Sequence, residues 1–157
     1  MRSPYKGSRA EARALTAFVK LMRAASSLTG RLDRKLQQAG VTHAQFGVLE
    51  ALLHVGPLCQ RDLGRKILSS SGNMTMVIDN LEKRGLVRRV RGLADRRFVS
   101  VELTGEGRLF IAGLFPSHAA TIEHEMSLLS GAEQDELARL CRRLGLGLLG
   151  PRGGTIV

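Results

Sequence analysis

The sequence has little that would place the protein in a membrane or in an oxidising compartment. No apolar run approaches the roughly 20 residues that a membrane-spanning helix needs. The first residues, MRSPYKGSRAEARAL, lack the apolar core and small-residue cleavage site of a secretory signal. Two cysteines do not make a disulfide framework. We therefore expect a cytoplasmic protein with no membrane partner.

Aromatic and acidic residues are also scarce. The 157 residues include five Phe, one Tyr and no Trp, which leaves little surface for stacking single-stranded bases. The formal net charge is +10, and such a charge favours a polyanionic partner. Among nucleic acids, the shortage of aromatic residues favours double-stranded DNA. No nucleophile–base pair or carboxylate pair stands out, so the sequence predicts neither an enzyme nor a bound cofactor.

Both ends of the chain carry the apolar periodicity of amphipathic helices. The first helix is predicted from about Arg9 to Ala39, and its apolar seam is typical of a helix that needs a partner. Residues 105–149 are predicted to form two more helices, with Pro116 kinking the first and Ser130 to Glu133 opening the second. The seam of the first helix consists of Leu15, Phe18, Met22, Ala25, Thr29, Leu32 and Leu36.

The central residues, 42–103, have a different organisation. A capping box from Thr42 to Gln45 opens a helix, and Gly56 and Pro57 end it. A short helix (60–67) and a helix from about Ser71 to Arg84 follow, joined by a tight turn. Alternating apolar residues then predict two strands, 86–91 and 97–103, which form a hairpin. We therefore predict a mainly α fold with a small β-hairpin wing, a winged helix-turn-helix flanked by long helices.

Positive charge is concentrated on this central module. Residues 61–97 include ten basic and four acidic residues, which leaves a net charge of +6. Phosphate contacts are expected there. Small polar residues at the start of the helix from about Ser71 to Arg84 let its free backbone donors approach the duplex. An arginine of the hairpin can enter a neighbouring minor groove. The candidate DNA-binding residues that this reasoning gives are Ser70, Ser71, Asn73, Arg88, Arg91, Arg96 and Arg97.

The central motifs resemble those of the MarR family of bacterial transcription regulators. The run SSSGNMTMVIDNLEKRGLVRR, then DRR and VELTGEG, is similar to that family's recognition helix and wing. The resemblance extends from about Ala14 to Leu148. It implies a single domain over 1–157 and an obligate homodimer, with residues 9–39 and 105–149 as dimerisation helices. Each subunit is then expected to read half of a pseudo-palindrome, with half-site centres roughly 10 bp apart.

The resemblance also assigns roles to single residues. It implies that Arg97, positioned by Asp95, enters the minor groove. Met76 stands where family members often carry a long polar or basic residue, so its contact is either apolar, for example to a thymine methyl, or absent. The residues that the resemblance places at the major groove are Ser70, Ser71, Thr75 and Met76.

A regulatory ligand is implied in the same way. The resemblance suggests that a small molecule, aromatic or phenolic, binds between the dimerisation helices and the winged module and releases the DNA. His43, at the start of the second helix, is the candidate contact. The predicted function is thus a ligand-responsive transcription regulator, most often a repressor in this family, acting in the cytoplasm at the nucleoid. The alternatives are a thiol-based redox-sensing regulator that uses Cys59, or a nucleoid-coating protein that binds DNA without sequence preference.

Two further signals each allow two interpretations. Cys59 is predicted at the N-terminus of the third helix, where the helix dipole would favour a redox-active thiolate, but a small residue tolerated at a cap explains it equally simply. Cys141 lies on an apolar stripe and is expected in the core. His118, Glu123, His124 and Glu125 are close in sequence, but their spacing predicts no metal site, and a solvated helix face is expected.

Overall fold

The computed structural model describes residues 7–67, 71–91 and 99–149, and only the backbone of 71, 72 and 146–149. The predicted mainly helical fold with a small β wing is confirmed. The turn predicted over residues 92–96 lies outside the described residues. In chain order the elements are α1 (Arg9–Gln38), α2 (His43–Val55), β1 (Leu58–Cys59), α3 (Gln60–Lys66), α4 (Ser71–Lys83), β2 (Val87–Arg91), β3 (Val99–Leu103), α5 (Gly105–Met126) and α6 (Gly131–Leu149).

The helix ends lie close to where the sequence predicts them. Thr42 and Gln45 form the expected capping box at α2, each side chain accepting a hydrogen bond from the other residue's backbone N–H. Gly40, after α1, has a φ of 74°, and Gly85, after α4, has a φ of 71°. Both values lie in the left-handed region that glycine adopts without steric strain. Pro116 lies inside α5, which continues past it to Met126.

The sheet contains a strand that the sequence did not predict. Its strand order is β1-β3-β2, so β3 is central, and both pairings are antiparallel. In β1, Leu58 pairs with Val101 and Cys59 pairs with Ser100. A strand of two residues is too short to show an alternating pattern in the sequence. It is a strand because it pairs with β3. This strand fixes the start of α3 to the base of the wing.

The hydrophobic core lies where α2, α4, α5 and the sheet meet. The predicted inner stripe of α4 is confirmed, since Met74, Ile78 and Leu81 are fully buried and Val77 is nearly so. Burying side chains of this size stabilises the fold by about 1.5–3 kcal/mol each. The core is therefore also the support of α4. The other fully buried side chains are Leu36, Val48, Leu49, Leu52, Leu63, Val87, Val101 and Ile111.

The start of α5 is locked against the end of α4. Thr104 caps α5: its hydroxyl accepts from the N–H of Gly107 at 2.9 Å and donates to the carbonyl of Gly85 at 2.6 Å. A Cβ on Gly107 would lie 1.8 Å from the carbonyl oxygen of Leu86. The sequence Leu-Thr-x-x-Gly thus has a steric reason here, since only glycine lets α5 approach this closely.

Two arginines make polar contacts around the long helices. The guanidinium of Arg84, after α4, donates to the carbonyl of Gly40 at 2.7 Å and lies 5.7 Å from the ring centroid of Phe110 on α5. Arg31 on α1 pairs with Glu125 on α5 at 2.5 Å. Arg84 therefore connects the central module to the long helices, and Arg31 connects two long helices to each other.

Much of the apolar seam remains uncovered in the single chain. Leu32 and Leu36 are buried, but Leu15, Phe18 and Met22 are exposed. The same holds for the stripe of α6, where the prediction that Cys141 is a core residue is wrong because the thiol is exposed. The exposed apolar residues of that stripe are Leu137, Leu140 and Leu144.

Candidate DNA-binding interface

The outer face of α4 is exposed because its other face is the core. With Met74, Val77 and Ile78 turned inward, the helical period turns Asn73, Thr75, Met76 and Asn80 to the surface. Met76 is 59% exposed, which is high for a side chain of its size. This face carries polar groups and one flexible apolar side chain, which suit the mixed chemistry of a major groove.

Several predicted contact residues cannot be placed. Ser70, Asp95, Arg96 and Arg97 lie outside the described residues, so the minor-groove role of Arg97 stays a prediction. Ser71 is the first residue of α4, as expected, and only its backbone is described.

The described part of the wing presents two of the predicted arginines. Arg88 and Glu102 are register partners on β2 and β3, and their side chains pair at 2.6 Å. Arg91 ends β2 opposite Val99 and is exposed. Arg91 is therefore available for a phosphate, whereas Arg88 already has a carboxylate partner.

Arg89 joins the wing to the outer helix and was not predicted as a functional residue. Its side chain, 28% exposed, donates to Asp79 at 2.6 Å and to Glu82 at 2.5 Å, both on α4. Its backbone N–H also donates to Glu82 at 3.0 Å. Burial alone would lower the pKa of Arg89, but the hydrogen bonds to both carboxylates raise it, so the guanidinium stays charged.

These pairs change the electrostatics of the module. Every described acidic residue between β1 and α5 has an arginine partner: Asp62 has Arg65, Glu102 has Arg88, and Arg89 serves Asp79 and Glu82. Five other cations of the module form no ion pair within the described ranges, although one of them, Arg84, donates to a backbone carbonyl. Phosphates would therefore meet positive charge with little opposing negative charge. The five cations without an ion pair are Arg61, Lys66, Lys83, Arg84 and Arg91.

A second cluster lies beneath the module, where α1, α2 and α5 meet. His43, the predicted ligand contact, is the first residue of α2, and its Nδ1 lies 3.2 Å from a carboxylate oxygen of Asp33 on α1. The ring of His118 on α5 packs 4.1 Å from that of Phe46 on α2, centroid to centroid.

The prediction that His118 lies on a solvated face is wrong. It is 8% exposed, and its Nδ1 is buried without a hydrogen-bond partner among the described residues. Burial lowers its pKa; Glu50 opposes this effect, and His43 adds to it. Its spacing of seven from the buried Ile111 is the signal that could have placed it on the inner face. No group of three or more His, Cys, Asp or Glu within the described ranges could hold a metal ion.

Cys59 is at the N-terminus of α3, as predicted, but its side chain does not cap the helix. Instead the thiol donates to Oδ2 of Asp62 at 3.0 Å. This hydrogen bond gives the Cys59 side chain a structural contact that needs no redox chemistry. The geometry therefore favours the interpretation of Cys59 as a tolerated small residue.

A core-supported outer helix next to a basic two-stranded hairpin is the architecture of winged-helix DNA-binding proteins. Comparison with known proteins narrows this class. The sequence matches the model of the MarR family over residues 39–97. It is 34% identical over 134 residues to MhqR, an HTH-type transcriptional regulator of Bacillus subtilis, covering 85% of this chain and 92% of that protein. The chain therefore belongs to the MarR family of transcription regulators.

Solved structures support the same assignment. Sco3205 of Streptomyces coelicolor, a MarR family regulator solved in complex with DNA, has a TM-score of 0.83 and 25% identity, covering 98% of both chains. BpsR of Bordetella bronchiseptica, whose DNA binding is regulated by 6-hydroxynicotinic acid, has a TM-score of 0.76 and 26% identity. That match covers 83% of this chain and 98% of BpsR. Among the described helices, none combines the length and apolarity needed to cross a membrane.

Proposed function

We propose that this protein is a homodimeric, sequence-specific repressor that binds a pseudo-palindromic operator and releases it when a small aromatic acid or phenol binds. The observation that carries this proposal is the exposed polar face of α4 beside unpaired cations, where every described acidic residue between β1 and α5 is paired with an arginine. Asn73, Thr75 and Met76 would face base edges, while Arg91 would contact phosphate. Ser70, Ser71, Arg88, Asp95, Arg96 and Arg97 complete the proposed interface.

The uncovered apolar seams support the homodimer. Phe18 on α1 is 60% exposed and Leu144 on α6 is 54% exposed, in a chain whose core elsewhere is well packed. Contiguous apolar residues at helical spacing are typical of an interface between helices. We assign residues 9–39 and 105–149 to dimerisation and residues 42–103 to DNA binding.

The buried histidine supports an effector site. Nδ1 of His118 has no hydrogen-bond partner in the part of the chain that the structure describes, so a ligand hydroxyl or carboxyl group reaching it would satisfy a buried polar atom. Phe46 beside it offers a ring for an aromatic ligand, and His43 lies on the same helix. A ligand there would touch α2 and α5 together, so it can favour one arrangement of module and long helices over another. The regulation of BpsR by a small aromatic acid supports this ligand class.

The first experiment is selection of bound sequences from a random DNA pool at near-physiological salt, with protein of measured oligomeric state. We expect an inverted repeat with half-site centres roughly 10 bp apart. Transcription in vitro from a promoter carrying that repeat should then fall when the protein is added. Tight binding without an enriched sequence would favour the nucleoid-coating alternative.

The effector site is tested with His118→Phe. A panel of aromatic acids and phenols should raise the operator Kd of the natural protein but leave that of the variant unchanged. The readout is the ratio of Kd with and without the compound, so any change in basal affinity cancels. His54→Gln, an exposed histidine on α2, is the matched control. Equal ratios in all three proteins would place the effector elsewhere.

A further inference from the structure

One side-chain hydrogen bond joins α3 to the outer face of α4. The amide Nε2 of Gln60, the first residue of α3, donates to Oγ1 of Thr75 at 2.5 Å. Thr75 is exposed and Gln60 is half-buried. The contact therefore lies at the surface that the recognition helix presents to DNA, although Gln60 carries no charge and no sequence motif marks it.

Both residues sit on rigid supports. Gln60 follows Cys59, which pairs with Ser100 in the sheet, and its helix is anchored by the fully buried Leu63. Thr75 follows Met74, which is also fully buried. Because neither helix can shift without disturbing the core, the hydrogen bond from Gln60 favours the side-chain conformation in which Oγ1 of Thr75 faces α3.

The hydrogen bond determines where the methyl group of Thr75 lies. Oγ1 and the methyl carbon are attached to the same Cβ, and a β-branched side chain has few allowed χ1 values. With Oγ1 held toward α3, the methyl group takes a different staggered position on the same Cβ, and Thr75 as a residue is exposed on the outer face of α4. The next residue, Met76, adds a second exposed apolar group there.

We propose that Gln60 is a specificity-determining positioning residue: it orients Thr75 so that the Thr75 methyl group, beside Met76, reads the 5-methyl group of a thymine in the major groove. Thymine is the base that offers an apolar group in that groove, and a threonine methyl is a suitable partner for it. The inference rests on the proposed sequence-specific binding and adds the base class and the residue that sets it.

The test replaces each thymine of the selected half-site, one position at a time, by uracil, which differs only in lacking the methyl group. Burial of one methyl group corresponds to about a fourfold change in Kd. The natural protein should lose about that factor at one thymine of each half-site. Gln60→Ala should bind the thymine and uracil operators equally at that position, with an unchanged dependence of Kd on salt. Gln38→Ala, a glutamine at the end of α1, is the matched control and should behave like the natural protein.

Two Thr75 variants separate positioning from simple loss of structure. Thr75→Ser keeps the hydroxyl and removes the methyl group, so it should lose the discrimination. Thr75→Val carries a methyl group on both branches and no longer needs Gln60, so adding it to Gln60→Ala should restore the discrimination. A Gln60→Ala protein that still distinguishes thymine from uracil fully would overturn the inference.

The remaining outcomes also decide. Equal binding of the thymine and uracil operators by the natural protein at every position, or a selected half-site without thymine, would overturn the proposed recognition of a thymine methyl group. Either result would leave the proposed function as a sequence-specific regulator unaffected. A natural protein that enriches no sequence at all would overturn the proposed function and this inference together. The selection experiment and the uracil titrations therefore distinguish the two failures.

Discussion

At the scale of single residues, His118 shows what burial does to a titratable group. The residue is neutral in the fold because burial lowers its pKa, and the opposing carboxylate of Glu50 does not cancel that effect. In the unfolded chain its pKa returns to about 6.5. Below that pH the unfolded state binds a proton that the folded state excludes, so the free energy of unfolding falls as the pH decreases.

We therefore expect His118→Gln to weaken the acid sensitivity of the fold. The stability contributed by neutral His118 is fully present above about pH 6.5 and is lost as the pH falls toward the lowered pKa of the folded state. Urea unfolding at several pH values between about 5 and 7.5 measures this slope. The variant should show a shallower slope, and the exposed-site control His54→Gln should not. Parallel slopes in all three proteins would show that His118 is not the responsible group.

Gly107 tests the close approach of α5 to the residues after α4, and Gly113 on the same helix serves as its control. A Cβ at Gly107 would lie 1.8 Å from the Leu86 carbonyl oxygen, whereas one at Gly113 would meet nothing within 4 Å. We expect Gly107→Ala to lower the free energy of unfolding by about 3 kcal/mol through overpacking. Gly113→Ala should raise it by about 0.5–1 kcal/mol, because alanine favours the helix. Chemical denaturation of both variants tests the difference, and equal effects would contradict the close approach.

Sequence patterns predicted some residues better than others for a physical reason. The inner stripe of α4 was predictable because Met74, Val77, Ile78 and Leu81 repeat at the helical period with no polar interruption. His118 was not, because a polar residue on an apolar stripe looks like a surface residue until its neighbour Phe46 is known. Gln60 was not predictable either, since its partner Thr75 is distant in sequence and the contact arises only from the packing of two helices.

At the scale of elements, Arg89 determines how the wing meets the outer helix. One strand residue holds two carboxylates one helical turn apart on α4, so β2 and α4 move together. The orientation of the wing relative to α4 is thereby fixed through a charged contact rather than through the core alone.

We expect Arg89→Met to lower the free energy of unfolding by about 1–2 kcal/mol, the partial exposure of the carboxylates limiting the loss. Operator affinity should fall as well, because two carboxylates left unpaired near the DNA would repel phosphate. Arg88→Met removes a more exposed pair and should change the free energy of unfolding by no more than about 0.5 kcal/mol. Denaturation curves and operator titrations measure the two effects, and equal stability losses would contradict a special role for Arg89.

Element ends were predicted within a few residues, and β1 was the main omission. The helix ends at Thr42, Gly40 and Gly85 depend on residues that are close in sequence, so sequence patterns predict them directly. β1 consists of Leu58 and Cys59 and exists because β3 offers a free edge. Its formation depends on a partner about 40 residues away, which no local pattern records.

At the scale of the whole molecule, the uncovered seams are the main feature to explain. In a single chain, exposed apolar groups such as Leu15, Phe18 and Leu144 favour association with a second copy. The symmetry of such a pair would match the pseudo-palindrome of the proposed operator.

We expect Phe18→Asp to convert the protein to a monomer, because a buried carboxylate without a partner destabilises an apolar interface. Operator affinity should then fall at least about tenfold, since one module would have to bind without the other. Sedimentation velocity and operator titration measure both. Val55→Asp, at an exposed apolar site at the end of α2, should remain dimeric. A Phe18→Asp protein that stays dimeric would remove α1 from the interface.

The length of α1 has a mechanical consequence. Its 30 residues span about 45 Å, and its two buried residues, Leu32 and Leu36, both lie near one end. A helix held at one end acts as a lever, so a tilt of about 5° there displaces the far end by about 4 Å. In the proposed dimer, a side-chain adjustment of less than 1 Å beside α2 and α5 would tilt α1 and produce a larger displacement at its far end. The two DNA-reading modules could thus lose their matched spacing without any change inside either module.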